Sequence, residues 1–124
     1  MKTLLIIAHG SLREASNSEV FRLAKKLRER VGTRYQFVSA GFLEMAKPNI
    51  SAGVKACIDA GATEVDVLPY FLSAGRHVTN DVPAELAAVT KDHPGLTIKI
   101  LPYVGSSDMM LDLMAEICSV RRDA

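Results

Sequence analysis

Three side chains stand where this sequence could do chemistry. His9 follows the apolar run Thr3-Leu4-Leu5-Ile6-Ile7-Ala8 and opens His9-Gly10-Ser11. Glu44 is a carboxylate stranded among apolar neighbours in Gly41-Phe42-Leu43-Glu44-Met45. His77 ends Ala74-Gly75-Arg76-His77, shortly after the apolar run Val65–Phe71. An imidazole whose unperturbed pKa is about 6.5 can bind a metal or accept a proton near neutrality. Two imidazoles and a carboxylate suit a borderline divalent metal such as Fe²⁺, Co²⁺, Ni²⁺ or Zn²⁺. None of the three shares a helix at i, i+4 spacing, so a tight structural zinc site is not indicated. A loosely held metal, delivered and passed on, fits better. Ser11 and Arg13 in the first loop, and Ser73, Gly75 and Arg76 in the third, surround these groups. The arginines suit anionic carboxylates, and the backbone N–H groups of Gly10 and Ser11 suit the same partners at a helix start.

Each residue also has a plain alternative. His9 can cap a helix, His77 is a common turn residue, and Glu44, Arg13 and Arg76 can simply be solvated. Their occurrence at three consecutive strand ends favours a site, because loops at the carboxyl ends of parallel strands line the ligand crevice. His93, before Pro94-Gly95, reads instead as an exposed partner of a helix dipole.

The elements that must position them alternate. Strands are expected over Lys2–Ala8, Tyr35–Ala40, Glu64–Pro69 or Phe71, and Leu96–Leu101. A helix over Ser16–Val31 carries Val20, Leu23, Ala24, Leu27 and Val31 at spacings of three and four, with Asn17 or Ser18 as cap and Gly32 as stop. A second helix begins at Pro48, carries Ile50, Val54, Cys57 and Ile58, and stops at Gly61. A third starts near Asp81–Pro83 after a long loop, carries Leu86 and Val89, and gives out near His93. A fourth, capped by Ser107 or Asp108, turns Met110, Leu113, Met114 and Ile117 toward the core. Arg121–Ala124 reads as a frayed tail. The pattern is (βα)₄: an α/β fold with an open parallel four-stranded sheet and helices on both faces. So narrow a sheet leaves two edges, one of which a partner chain could cover.

The whole chain narrows the classes. At 124 residues it reads as one domain, residues 1–124. A net charge of +1 and 6% aromatic residues, with no Trp, argue against nucleic acid, and no run approaches membrane-spanning length. Cys57 and Cys118 lack metal-type spacing and read as buried or half-buried hydrophobes, which suits a reducing cytoplasm. The first apolar run is too short for a signal peptide. There is no Gly-x-Gly-x-x-Gly, no Walker loop and no Gly-x-Ser-x-Gly elbow, so no organic cofactor is expected.

In order along nearly the whole chain, Leu5-Ile-Ile-Ala-His9-Gly-Ser11, Asn17, Ala40-Gly-Phe-Leu-Glu44, Pro69-Tyr-Phe-Leu-Ser-Ala-Gly75-Arg-His77-Val78 and Asp81-Val-Pro83 resemble the class II tetrapyrrole chelatases. The sirohydrochlorin cobaltochelatases and ferrochelatases, in their short single-domain form, are the most similar. The resemblance implies insertion of a divalent metal into sirohydrochlorin, on the way to cobalamin or sirohaem. Co²⁺ or Fe²⁺ would be the substrate metal, with Ni²⁺ used by one member. It implies that His9 and His77 bind the metal and help take the pyrrole protons, with Glu44 assisting. It also implies a symmetric homodimer equivalent to one two-lobed relative. Leu12 departs from the pattern, since many relatives place Arg directly after His-Gly-Ser. A non-catalytic carrier of metal or tetrapyrrole needs the same histidines and stays open on sequence alone. A histidine-phosphatase reading would want Arg before His9-Gly10, where Ala8 stands.

Overall fold

The computed structural model describes residues 1–121, apart from the side chain of His77. The tail expected over Arg121–Ala124 therefore lies mostly outside the described residues. The elements run β1 (Lys2–Ala8), α1 (Glu14–Val31), β2 (Phe37–Phe42), α2 (Ile50–Asp59), β3 (Glu64–Pro69), α3 (Val82–Asp92), β4 (Thr97–Ile100) and α4 (Met109–Cys118). The four strands form one parallel sheet in the order β2-β1-β3-β4. The central strand β1 is buried from Thr3 to Ala8, as expected of a parallel strand covered on both faces.

The alternation along β1 divides the core into two layers. Leu5 and Ile7 join Ile50, Val54, Cys57, Val65, Val67, Val82 and Leu86 beneath α2 and α3. Ile6 and Ala8 join Val20, Ala24, Ala40 and Phe42 beneath α1. Burying a Val- to Phe-sized side chain contributes roughly 1.5–3 kcal/mol, so these layers hold the sheet and its helices together.

Several boundaries differ from the sequence reading for identifiable reasons. Helix α1 starts at Glu14 after Arg13, with no side-chain cap. Neither Asn17 nor Ser18 caps it, because Asn17 lies in the first turn and bonds backward to Ser11. A single 3₁₀ turn over Gly32–Arg34 delays β2, which then extends through Gly41 to Phe42. Gly41 belongs in the strand because α2 packs there backbone to backbone: a Cβ on Gly41 would lie 3.3 Å from the Asn49 carbonyl oxygen. Helix α2 begins at Ile50 rather than at Pro48, and Asn49 caps it, its side chain accepting from the Ala52 N–H at 2.8 Å. The long third loop is shortened by a turn of π-helix over His77–Asp81 that runs straight into α3. Strand β4 is trimmed to Thr97–Ile100.

The largest correction is α4. Of the residues expected in the core, Leu113, Met114 and Ile117 are exposed and Met110 is half-buried, and the neighbouring Met109 and Leu111 are exposed as well. Cys118, on the same helix, is exposed too, whereas Cys57 is buried as expected. Ser107 supplies the cap contact of α4, its hydroxyl accepting from the Met109 N–H at 3.2 Å. His93 is the half-buried C-cap of α3 rather than an exposed group.

One buried charge sits in the sheet. Asp66 accepts a 2.6 Å hydrogen bond from the Tyr35 hydroxyl and lies 3.6 Å from Lys2 Nζ. Burial first, then the hydrogen bond to Asp66, pushes the Tyr35 phenol up to about 12. Among the described residues, no helix is long and apolar enough to cross a membrane.

Candidate functional site

The first two loops are laced together past the ends of their strands. The Leu43 N–H donates to the Ala8 carbonyl at 2.9 Å and the Glu44 N–H to the His9 carbonyl at 3.0 Å. Pairing of β1 with β2 thus continues beyond Phe42 and carries both loops over the carboxyl edge of the sheet. Gly10 makes the approach possible. Its φ of +95° is one that side chains rarely adopt, and a Cβ there would collide with the Glu44 carbonyl. Met45 has φ of +65°, left-handed without being glycine, directly after Glu44. Backbone strain of this kind persists only where the surroundings hold it, and it concentrates at functional sites.

This lacing sets His9 Nε2 3.0 Å from Glu44 Oε1. His9 Nδ1 lies 3.1 Å from the Gly10 carbonyl oxygen. Both ring nitrogens therefore face oxygen acceptors. A neutral imidazole carries one N–H, so only one of the two contacts is a hydrogen bond at a time. Each side chain of the pair is a little under half exposed, so the pair opens to ligands.

Asn17 fixes the loop that carries His9. Its Oδ1 accepts from the Ser11 N–H at 3.0 Å, and its Nδ2 donates to the Ser11 carbonyl at 2.8 Å. The Ser11 N–H is thereby committed within the chain, which removes it from the expected pair of anion-binding backbone groups. Its hydroxyl accepts from the Arg13 N–H at 3.0 Å and keeps its own hydrogen to donate. The Arg13 side chain is exposed beside it. In the sequence Asn17 reads as a cap and as one residue of the family pattern. Its real role has a signal of sorts, a short amide six residues after the serine it clamps.

Beside the pair, an open depression of about 570 Å³ is lined by Ser11, Leu12, Asn17, Met45 and Lys47, among others. Leu12 and Met45 give it an apolar rim, and Lys47 a positive charge. On the other side Glu44 shares a smaller cavity of about 250 Å³ with Leu43, Asp81, Ala84 and Glu85. Burial first, then the neighbouring Asp81, raises the Glu85 carboxyl above its ordinary value. Met45, Lys47 and Glu85 were not singled out in the sequence, and Asp81 stood there only as a helix start and part of the family pattern, because nothing local distinguishes them from solvated loop and helix residues.

The third strand end reaches the same region through its backbone. The π-turn over His77–Asp81 ends on Asp81, which borders the cavity of Glu44. The Gly75 carbonyl starts that turn, accepting from the Val78 and Thr79 N–H groups at 3.1 Å each. Ser73, Gly75 and Arg76 are exposed on the approach to it. Gly75 has an ordinary φ and open space around it, so its backbone would tolerate a side chain. Among the described residues no three His, Cys, Asp or Glu groups stand together as a complete metal site.

A parallel 2-1-3-4 sheet with a histidine–carboxylate pair laced across its carboxyl edge defines a chelatase-like α/β domain. The chain belongs to the CbiX family, whose model matches residues 3–119. It is similar to the chloroplastic sirohydrochlorin ferrochelatase of Arabidopsis thaliana, 32% identical over 111 residues that cover 90% of this chain and 48% of that protein. The chain thus spans about half the length of that relative. Among solved structures it resembles a cobalamin (vitamin B12) biosynthesis CbiX protein from Marinobacter aquaeolei VT8, with a TM-score of 0.76, 27% identity, and coverage of 96% of this chain and 95% of that one. The fold also matches the sirohydrochlorin chelatase SirB from Bacillus subtilis subspecies spizizenii in complex with cobalt, with a TM-score of 0.84 at 24% identity. That match covers 95% of this chain and 50% of SirB, so one copy here corresponds to half of the longer fold.

Proposed function

We propose that this chain inserts a divalent metal, Co²⁺ or Fe²⁺, into sirohydrochlorin on the way to cobalamin or sirohaem. The observation that carries the reading is the His9–Glu44 pair, held at 3.0 Å by backbone lacing at the carboxyl edge of a CbiX-family sheet. The sirohydrochlorin ferrochelatases and cobaltochelatases among its relatives support the same substrate.

The chemistry suits the residues. Two pyrrole N–H bonds must break, and the two nitrogen electron pairs so released bind the entering metal. Two protons then need acceptors. His9 takes the metal on a ring nitrogen and accepts a pyrrole proton as the metal passes on, while Glu44 receives that proton across the pair. His77 supplies the second imidazole. The exposed Arg13 and Arg76, with Gly10, Ser11, Ser73 and Gly75, meet the macrocycle and its carboxylates. The metal is a substrate, so few and exposed ligands are an advantage: tight binding would stall its transfer. No organic cofactor takes part.

The whole chain, 1–124, acts as a single chelatase domain in the cytoplasm. It works as a homodimer in which two copies stand in for the two lobes of longer relatives, without nucleic acid or membrane as partners.

Purified protein supplied with sirohydrochlorin and Co²⁺, Fe²⁺ or Ni²⁺ tests this. The macrocycle's absorption should change by many equivalents per chain with at least Co²⁺ or Fe²⁺. A change limited to one equivalent per chain with every metal would instead indicate a carrier.

A further inference from the structure

The loop between β2 and α2 serves two cavities. Its base is pinned: the Phe42 N–H donates to the Pro48 carbonyl at 2.8 Å, and Asn49 bridges back to Phe42. Between those anchors the chain turns at Met45, whose φ is +65°. Glu44, before the turn, faces His9 and the smaller cavity. Met45, Ala46 and Lys47, after it, line the larger depression of about 570 Å³. Only Glu44 has a part in the metal and proton steps above.

The larger depression is built for a different kind of contact. Phe21 of α1 gives it an aromatic surface, 44% exposed and held edge-on against the buried Phe42 ring, with centroids 5.5 Å apart. Leu12 and Met45 stand on its rim, 84% and 56% exposed. Three large apolar side chains around one depression favour a flat apolar ligand over water. Lys47 is the one Lys or Arg among the described residues that line it. It is exposed and makes no ion pair among the described residues. The acidic Glu14 lines the same space and is not ion-paired with it. The Ser11 hydroxyl opens there too, with its hydrogen left to donate.

We propose that Lys47 is a specificity-determining residue: its ammonium takes a side-arm carboxylate of the macrocycle while the ring edge lies against Leu12, Met45 and Phe21. The proposal rests on the sirohydrochlorin reading above and deepens it, naming what recognises the substrate away from the metal. The ligand chemistry that fits is a flat conjugated ring with carboxylates at its periphery. Such a ring is apolar on its faces and anionic at its edge, and the depression is apolar on its walls and cationic at its rim. The ring's central nitrogens must meet His9, so its side arms reach past Ser11, into the space that Lys47 borders. Arg13 and Arg76 line neither this depression nor the cavity of Glu44. A ring that covers Lys47 excludes water from it, and the attraction between ammonium and carboxylate strengthens as it does. The side arms do not change when the central nitrogens lose their protons. The contact is therefore equal before and during metal entry, and it sets binding rather than the insertion step.

Wild type, Lys47→Ala and Lys47→Arg can be compared on sirohydrochlorin and on its fully methyl-esterified form, which keeps the ring and loses the negative arms. Lys47 is exposed, so the three proteins should share one thermal midpoint. Lys47→Ala should weaken binding of sirohydrochlorin about 10-fold, read from macrocycle absorption, and raise its KM for Co²⁺ insertion by the same factor at constant kcat. Lys47→Arg should restore both. The ester should bind wild type and Lys47→Ala alike. Leu12→Ser should weaken the acid and the ester by one common factor, and no loss with either would overturn the seat of the ring. A Lys47→Ala protein with wild-type affinity and KM would overturn the role of Lys47 while leaving sirohydrochlorin as the substrate. An ester that loses as much affinity as the acid in Lys47→Ala would overturn it as well, since the contact would not be with a carboxylate. A wild type that neither binds nor metallates sirohydrochlorin would overturn the substrate reading and this proposal together.

Discussion

The two sides of the sheet are finished in opposite ways. On the β1–β2 side the backbone continues pairing past the strand ends, two loops lock on Gly10, Asn17 clamps Ser11, and α1 and α2 close over the strands. On the β4 side the strand is short and mostly exposed, and the helix that follows stands clear with its apolar residues in solvent. The first arrangement fixes a histidine–carboxylate geometry within one chain. The second leaves apolar area that one chain alone does not bury. The difference teaches that the candidate site is built locally, by backbone contacts of one chain, whereas the far side of the sheet keeps apolar side chains in solvent.

The strongest way to break the locked side is Gly10→Ala. The added Cβ meets the Glu44 carbonyl at a φ that side chains rarely adopt, so the loops must separate. A stability loss of about 2 kcal/mol is expected, with metal insertion down about 100-fold because His9 and Glu44 move apart. Unchanged kinetics in this variant would show that the lacing does not set the site.

Paired core substitutions sharpen the contrast. Val54→Ala, at a residue of α2 fully buried against the sheet, should cost roughly 2 kcal/mol by denaturant unfolding. Met114→Ala, at a residue exposed on α4, should cost less than about 0.5 kcal/mol. A penalty as large as that of Val54→Ala would contradict the view of α4 as unsupported in the single chain.

Asn17→Ala removes both bonds to Ser11 and should cost about 1–2 kcal/mol. Its effect on insertion should exceed that of Asn17→Asp, which retains the acceptor for the Ser11 N–H. Equal activities would show that the clamp is structural only.

The smallest effect is a pH slope. The Glu85 carboxyl is raised, by burial and then by Asp81, so the folded chain holds that proton more tightly than the unfolded one. Its stabilising contribution is fully present below the ordinary carboxyl value and is lost as pH rises through the raised one. Glu85→Gln should flatten the fall in stability across that window, as read from thermal midpoints between about pH 4 and 7. A steeper fall would mean that the folded chain favours the ionised Glu85 carboxylate.

Much of this was legible in the sequence. The alternation of apolar runs and helical patterns placed every strand and helix to within a few residues, since a buried parallel strand such as Leu4–Ala8 has no other reading. Glu44 beside His9 was legible because both follow strands that pair in parallel, and parallel register brings consecutive carboxyl ends side by side. Asn17 was misread because one Asn at a helix start can bond forward to the helix or backward to the preceding loop, and local sequence does not separate the two. Helix α4 was misread for a different reason. The spacing of Met110, Leu113, Met114 and Ile117 reports a helix with an apolar side, and does not say that this chain packs anything against it.

The measurement that bears most directly on the central claim is the number of macrocycles metallated per chain, wild type beside His9→Ala, with sirohydrochlorin and Co²⁺ in excess. The account predicts many turnovers for wild type. It predicts a rate at least about 100-fold lower for a variant that loses both metal ligand and proton acceptor, with its fold and mass unchanged. A His9→Ala protein that turns over at the wild-type rate would contradict it.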